Sequence, residues 1–203
     1  MSKIKNKSKF DIIPNSKTVI LCTNNVDKLK LSDSFIDKDT DLITTCAKNI
    51  TNNSTCDKLV KLLKIKDLFS FEFDTLSTGE KQMIQVCNIL LTDKDTIVMV
   101  DAISNVSSLN KEKIFKFIKK LNKTIIYITN NKEDIMYFDN VILYDNEVIL
   151  NEKLDKAIQM EKEFKSVGFT LPFMSELSLK LKYYNLVEKP IISMDRMVNK
   201  LWK

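Results

Sequence analysis

The sequence is poor in glycine and contains no histidine. Of its 203 residues only two are glycine, Gly79 and Gly168, whereas an average usage of about 7% would give roughly fourteen. An intact P-loop needs two glycines five positions apart and a dinucleotide fingerprint needs three, so neither motif is present in full. The absence of histidine excludes a Ser-His-Asp triad, a Cys-His pair and histidine-ligated zinc. Any catalysis would depend on Asp, Glu, Lys or Tyr, or on a cofactor.

Arginine is also scarce. Arg196 is the single arginine among 32 basic residues, and the net charge is +5. Proteins that read nucleic acids rely on Arg for bidentate contacts with bases and phosphates, whereas the lysines here are spread along the chain among Asp and Glu. The charge indicates a solvated surface, so no nucleic-acid partner is expected. DNA binding through the lysine-rich residues 1–9 is a remaining alternative, which would require an affinity that falls steeply with salt.

Neither the cysteines nor the apolar segments indicate a secreted or membrane-spanning protein. The cysteines are Cys22, Cys46, Cys56 and Cys87, and without C-x-x-C spacing they favour a reduced, cytosolic chain. No apolar run approaches the roughly 18 residues of a membrane span, and the lysine-rich N-terminus lacks the apolar segment of a signal peptide. A cytoplasmic location is therefore expected.

Short apolar segments alternate with amphipathic ones. Strands are predicted at Thr18–Cys22, Thr96–Val100 and Thr124–Thr129, and a hairpin at Val141–Tyr144 and Val148–Leu150. Helices are predicted at Ser77–Leu91, Leu109–Leu121 and Lys132–Phe138, and at roughly 152–165, 172–184 and 193–202. Residues 37–56, rich in Thr, Asn, Asp and Ser, predict a loop. The alternation predicts an α/β domain with a mostly parallel sheet over residues 1–150, followed by a small helical appendage over 151–203.

The segment Leu76-Ser77-Thr78-Gly79-Glu80 opens the strongest predicted helix. Ser77 and Glu80 have capping-box spacing, which by itself is a sufficient structural explanation. The segment is followed, however, by an apolar strand ending in Asp101, a helix, a second apolar strand ending in Thr129-Asn130, and a hairpin. This order resembles the ATP-binding subunits of ABC transporters, in which the LSGGQ signature, the Walker B strand and the switch strand follow one another.

The C-terminal region narrows the resemblance. The sequence from Val167 to Phe173, VGFTLPF, followed by Glu176-Leu177, resembles the start of the appendage in energy-coupling factor (ECF) ATPases, and Met194–Trp202 is similar to its last helix. The resemblance implies a truncated P-loop NTPase-like (ABC ATPase) fold and a role in uptake of a vitamin or metal ion. It also implies ATP and Mg²⁺ as cofactors and an intact ABC ATPase as heterodimer partner. The resemblance further implies a transmembrane coupling subunit as a second partner, and a peripheral location on the inner face of the cell membrane.

The region that corresponds to the P-loop departs from the family. Aligned on Lys28, Cys22 and Asp27 occupy the two glycine positions, and Leu29 occupies the place of the hydroxyl that binds Mg²⁺. A carboxylate about 4 Å from a phosphate charge costs about 4 kcal/mol at an effective dielectric constant of 20, which is about a thousandfold in affinity. A plain strand-to-loop connection without a nucleotide role is therefore favoured, with Lys28 as a phosphate contact as the alternative.

The catalytic positions depart as well. Asp101 retains the Walker B carboxylate and is the candidate Mg²⁺ ligand, but Ala102 stands in place of the catalytic Glu and Asn130 in place of the switch His. Ser108 replaces the D-loop Asp. Loss of a positioned general base lowers a rate typically about 10²–10⁴-fold, so intrinsic hydrolysis is not expected and no catalytic residue is assigned. Lys28 and Ser77 are about half as far apart as in the family, and the glutamine loop has no counterpart.

The losses are asymmetric. The residues that would act on the chain's own nucleotide are altered, whereas the signature Ser77, Thr78, Gly79 and Glu80 is mostly retained. The leading hypothesis is a degenerate ECF-type subunit whose signature contacts a nucleotide held mainly by an intact partner ATPase. Thr78, where the family has Gly, would crowd or tune that contact. Two alternatives are an inactive structural or regulatory pseudo-ATPase, and hydrolysis by divergent residues that include Lys28 and Asp101.

Overall fold

The structure, a computed structural model, describes residues 10–35, 40–43, 54–90, 92–191 and 193–202. Within these residues the strands are β1 (Lys17–Leu21), β2 (Thr40–Ile43), β3 (Thr96–Val100), β4 (Thr124–Thr129), β5 (Asn140–Asp145) and β6 (Glu147–Lys153). The α-helices are α1 (Asn25–Phe35), α2 (Ser54–Leu63), α3 (Thr78–Ile89), α4 (Ser108–Lys119), α5 (Leu154–Ala157), α6 (Glu161–Ser166), α7 (Phe173–Tyr183) and α8 (Met194–Leu201). Three 3-10 helices within the described ranges cover Lys66–Ser70, Phe73–Thr75 and Lys132–Tyr137.

The strands form one sheet in the order β2-β3-β4-β1-β5-β6. The first five strands in this order are mutually parallel, and β6 alone runs antiparallel, as the second strand of a hairpin with β5. Val100 lies opposite Ile128 and Leu21 lies opposite Thr129, so β1, β3 and β4 end at the same edge. Ligands of open α/β sheets bind outside the carboxyl ends of the strands. The segments after these three strands are therefore the place to look for a site.

Both faces of the sheet are covered, which explains why its central strands are continuously apolar. Along β3, Ile97 and Met99 belong to one buried cluster, whereas Val98 and Val100 belong to the other. The larger cluster contains residues of α2, α3, α4 and the first part of the appendage, and the smaller one contains residues of α1 together with Phe10. The α/β class and the mostly parallel sheet predicted from the sequence are thereby confirmed.

Two predictions for the N-terminal half are wrong. The stretch after β1 is not a plain loop, because α1 begins at Asn25 and the carbonyl of Asn24 accepts the Lys28 N–H at 3.1 Å. Residues 37–56 are not all loop either, since β2 pairs in parallel with β3 and α2 begins at Ser54. The four residues of β2 are too few for a periodic pattern, and pairing with an apolar neighbour decides their conformation. Residues 44–53, including Cys46, lie outside the described residues.

The single helix predicted at 152–165 is also wrong. The β5–β6 hairpin continues to Lys153, which lies opposite Asn140. The remaining residues divide into α5 and α6, and the backbone between them is not helical at Met160, with φ −101° and ψ 58°. The buried side chains of this stretch belong to the same cluster as the sheet, so it packs directly on the central domain.

The last two helices differ from the expected packing. The helical spacing of Leu177, Leu181 and Tyr184 predicts a buried face of α7, but these side chains are at most half-buried, whereas Ser175 and Ser178 are fully buried. On α8 only Met197 is buried, and Met194, Val198, Leu201 and Trp202 are exposed. Because so small an appendage has little core of its own, we expect its apolar helical faces, which include Leu181, Leu201 and Trp202, to contact a partner. This contact stays a prediction. No helix among the described residues is long and apolar enough to cross a membrane.

Candidate functional site

The ends of β1, β3 and β4 bring the first group of candidate residues together. Lys28 lies in the first turn of α1, Asp101 directly follows β3, and Asn130 directly follows β4. The Cys22 N–H donates to the Thr129 carbonyl at 3.0 Å, and the Asp101 N–H donates to the Ile128 carbonyl at 2.9 Å. The sheet ladder therefore continues for one residue beyond each strand and fixes these backbones relative to one another.

Lys28 and Asp101 form an ion pair. The distance from Lys28 Nζ to Asp101 Oδ2 is 2.6 Å, and the two side chains are 2% and 27% exposed. A hydrogen bond between two charged groups in a partly desolvated place is among the stronger polar contacts in proteins. The other carboxylate oxygen, Oδ1, is buried and has no hydrogen-bond partner among the described residues. Asp101 also has a positive φ of 46°, which is uncommon for a residue other than glycine.

The signature segment forms the N-terminus of α3. Ser77 is the N-cap and Glu80 the third helical residue, and each caps the other as a capping box. The Ser77 hydroxyl donates to Glu80 Oε2 at 2.6 Å, and the Ser77 N–H donates to the same oxygen at 2.9 Å. These two hydrogen bonds lower the pKa of the Glu80 carboxyl. Ser77 and Thr78 are exposed, so this end of the helix faces solvent.

Gly79 is required by a close approach of two backbones. A Cβ added at Gly79 would lie 2.5 Å from the carbonyl oxygen of Asn105, in the loop after β3. Gly168 has a different reason for being glycine, because it has a φ of +80° and no atom within 4 Å of an added Cβ. Gly79 thus allows a close backbone contact, and Gly168 allows a positive φ.

Gln82 joins the signature helix to the loop after β3. Its Oε1 accepts the Asn105 N–H at 2.8 Å, and its Nε2 donates to Ser104 Oγ at 3.1 Å and to the Asp101 carbonyl at 3.4 Å. Gln82 is 3% exposed. Sequence reasoning missed this role, although a glutamine on the apolar side of an amphipathic helix was the available signal. Because the Asp101 carbonyl accepts from Gln82, this loop links the two groups of candidate residues.

The 3-10 helix that follows β4 carries a buried carboxylate that the sequence did not indicate. Asp134 is 2% exposed, accepts from the Asn131 amide at 3.0 Å, and lies 3.8 Å from the Lys111 ammonium. Its burial raises the pKa of its carboxyl, and Lys111 acts in the opposite direction. Asn130, at the switch position, is exposed, whereas Ala102, at the position of the catalytic Glu, is buried.

The residues at the P-loop position do not fit a triphosphate in this arrangement. Such a site needs a lysine that can reach the phosphates and a concave loop of backbone N–H groups. The ammonium of Lys28 is instead buried against Asp101. The thiol of Cys22 donates to the Asn24 carbonyl at 3.5 Å, where glycine would leave open space. Asp27 adds a carboxylate in the first turn of α1.

Asp101 is the candidate magnesium ligand in this part of the described structure. Asp101 Oδ1 is a buried carboxylate oxygen that a cation or water would satisfy. Mg²⁺ requires near-octahedral coordination and retains several waters beside its protein ligands. Among the described residues no group of three or more His, Cys, Asp or Glu side chains could hold a metal ion. Asp101 alone would therefore need most of the coordination sphere to come from elsewhere.

The sequence is similar to those of ATP-binding proteins of energy-coupling factor transporters. It is 32% identical over 151 residues to the EcfA1 protein of Fusobacterium nucleatum, covering 73% of this chain and 51% of that protein. It is 26% identical to the EcfA protein of Malacoplasma penetrans, covering 75% and 56%, and 31% identical to the EcfA1 protein of Clostridium perfringens, covering 62% and 47%. The chain thus spans about half the length of the curated relatives it matches. No protein-family model matches the chain.

The fold is similar to that of a solved structure described as a metal-chelate type ABC transporter in an inward-facing conformation. The TM-score is 0.56, and the match covers 76% of this chain and 78% of that one. At 12% identity this likeness concerns the fold alone. The sequence and the fold agree: over most of its own length the chain is homologous to energy-coupling factor transporter ATP-binding proteins, and its fold is similar to that of an ABC transporter.

Proposed function

We propose that this chain is an ATP-binding-cassette subunit of an ECF-type uptake transporter for a vitamin or a metal ion. In this role it presents Ser77, Thr78, Gly79 and Glu80 to a nucleotide bound by an intact partner ATPase, and it hydrolyses no ATP itself. ATP and Mg²⁺ are held mainly by the partner. The heterodimer docks on a transmembrane coupling subunit, which places it in the cytoplasm at the inner face of the membrane.

The asymmetry between the two groups of candidate residues carries this proposal. Lys28, which would bind the chain's own nucleotide, is 2% exposed and bound to Asp101. Ser77 and Thr78 lie at an exposed helix N-terminus, where backbone N–H groups and the helix dipole favour an anion. Ser77 and Thr78, which suit a nucleotide of the partner, are thus accessible, whereas Lys28, which would suit the chain's own nucleotide, is not.

Binding of a phosphate at this helix end requires a small local change. The Glu80 carboxylate now accepts both hydrogen bonds from Ser77, and its negative charge would oppose an incoming phosphate. A rotation of the Glu80 side chain would release the Ser77 hydroxyl as a donor. The helix end itself would stay in place, since Gly79 and Gln82 fix it against the loop after β3.

A heterodimer assay tests the proposal. The chain is co-purified with an intact ECF ATPase, and steady-state Mg-ATP turnover is measured for the wild type and for Ser77→Arg. The variant should lose most of the turnover, because an arginine side chain occupies the phosphate position. Ser70→Arg, the same change at an exposed serine outside the signature, is the matched control and should retain turnover.

A second candidate function is an inactive structural or regulatory module. It is favoured by the capping box and by the close approach at Gly79, which account for Ser77, Gly79 and Glu80 without any nucleotide. The same assay separates the two functions, because a purely structural signature predicts full turnover in the Ser77→Arg heterodimer.

A further inference from the structure

We propose that the chain's own nucleotide site is closed by the internal ion pair between Lys28 and Asp101, which excludes the phosphates of ATP. This inference concerns the isolated chain and stands independently of the proposed contact with a partner's nucleotide. The site does not bind a nucleoside triphosphate until this ion pair is broken.

The ion pair engages the Lys28 ammonium, the group to which a phosphate would bind. Lysine offers a compact ammonium with three donors, and here that ammonium lies 2.6 Å from Asp101 Oδ2 in a side chain that is 2% exposed. A phosphate oxygen cannot reach it without displacing Asp101 or moving the first turn of α1. The Asp101 carboxylate thus takes the place of the anion.

The two ends of the pair are rigidly placed. The backbone of Asp101 is fixed by its N–H bond to Ile128, and Lys28 is fixed in the helix by its N–H bond to Asn24. The Gln82 amide also holds the Asp101 carbonyl and the Asn105 N–H. Breaking the pair therefore requires a side chain to leave its place, since neither backbone is free to follow.

Residues near Lys28 add negative charge and occupy space that a phosphate would need. Asp27 lies in the same helical turn as Lys28, and Cys22 is buried with its thiol directed to the Asn24 carbonyl. The pKa of the nearby Tyr144 hydroxyl shows the effect of this negative charge: burial raises it, and the carboxylates of Asp27 and Asp145 raise it further. Each feature acts against a bound polyphosphate.

The unpartnered oxygen of Asp101 supports an opposing account. If Asp101 held Mg-ATP with its Oδ1 atom, then Asp101→Asn would weaken nucleotide binding. If the carboxylate instead occupies Lys28, the same substitution would release the ammonium and strengthen binding. The two accounts predict opposite signs for one variant, so this variant is the appropriate test.

The experiment is a calorimetric titration of the purified chain with ATP, in the presence of Mg²⁺ and again with EDTA. Wild type should bind ATP too weakly to saturate, which sets a lower bound on its dissociation constant. Asp101→Asn should saturate with a dissociation constant at least about tenfold below that bound, a change of at least about 1.4 kcal/mol. Asp139→Asn is the matched control. Asp139 is an exposed carboxylate whose charge acts on the buried Lys17 at the opposite end of β1, so the variant changes the net charge equally and should leave ATP binding unchanged.

Three results would overturn the inference. The first is Mg-ATP binding by the wild type that weakens in Asp101→Asn. The second is an equal gain in Asp139→Asn, which would assign the effect to net charge. The third is a folded Asp101→Asn variant that still does not bind, since exclusion would then lie elsewhere.

A measurement on the wild type keeps the test decisive if Asp101→Asn does not fold. Each lysine is scored by mass spectrometry after brief reductive methylation, with and without ATP. A closed pair predicts that Lys28 stays unmodified in both samples, whereas exposed lysines such as Lys30 react. Modification of Lys28 at the rate of exposed lysines, or its protection only with ATP, would contradict the closed site.

Discussion

The absence of a side chain at Gly79 allows α3 to pack closely against the loop after β3. Alanine at this helical position would ordinarily stabilise α3 by about 1 kcal/mol. Because an added Cβ would lie 2.5 Å from the Asn105 carbonyl oxygen, we expect Gly79→Ala instead to lower the free energy of unfolding by about 1–3 kcal/mol. Urea denaturation measures the change. A stabilised variant would show that the two backbones are not in contact.

Gly168→Ala is the matched comparison. It introduces no close contact, but its φ of +80° lies in the region that side-chain-bearing residues avoid at a cost of about 1–2 kcal/mol. Both variants are therefore destabilised, but only Gly79→Ala should change the chemical shift of the Asn105 amide in NMR spectra. A shift change at Asn105 in Gly168→Ala would contradict this division of roles.

Asp134 predicts a pH dependence of stability. Burial raises the pKa of its carboxyl above the ordinary value of 3.8, so the folded state binds more protons than the unfolded state between these two pKa values. The free energy of unfolding therefore falls as the pH rises through this window. Relative to the wild type, Asp134→Asn should become progressively more stable as the pH rises from about 3.8 toward neutrality. Urea denaturation at several pH values measures this difference, and a constant difference or one of opposite sign would contradict it.

At the residue scale, local motifs were predictable from the sequence and long-range partners were not. The capping box of Ser77 and Glu80 follows from spacing alone and is confirmed. The pairing of Lys28 with Asp101 depends on the order of strands, because β4 lies between β1 and β3. That order is a property of the whole sheet, and no local pattern encodes it.

Among the elements, α3 and the loop after β3 behave as one unit through Gln82. We expect Gln82→Leu to expose the Asn105 N–H to exchange, because this amide donates to Gln82 Oε1 at 2.8 Å and leaving it unpaired costs about 1–3 kcal/mol. Hydrogen exchange followed by NMR measures the protection of this amide. Gln85→Leu, the same change at an equally buried glutamine of α3, should leave it protected. Unchanged exchange in Gln82→Leu would show that the helix does not hold the loop.

Strands whose residues are all buried were predicted correctly, whereas strands whose conformation depends on pairing with a neighbouring strand were not. The strands β3 and β4 are mostly apolar and match their predicted bounds, since every residue of each strand is buried. The short strand β2 is only half apolar and the extension of β6 to Lys153 is polar, so both depend on a neighbouring strand. In α7 the buried side chains are serines, so the apolar spacing of this helix predicts the wrong buried face.

For the whole molecule, the C-terminal helices leave an apolar surface. Trp202 is 79% exposed, and Met194, Val198 and Leu201 lie on the same exposed side of α8. The expectation that this side contacts a partner predicts that Trp202 fluorescence shifts to shorter wavelength when an intact ATPase is added. Trp202→Ala is the variant that removes the signal, and an unchanged spectrum in a formed heterodimer would contradict the expected contact.

The central claim is that this subunit contributes a signature and no active nucleotide site. It is tested most directly by comparing two heterodimers in one steady-state ATPase assay. One carries Ser77→Arg in this chain, and the other carries serine to arginine in the signature of the intact partner. The account predicts loss of turnover in the first and nearly unchanged turnover in the second, because the partner's signature faces a site closed by Lys28 and Asp101. Equal losses in both heterodimers, or loss only in the second, would contradict it.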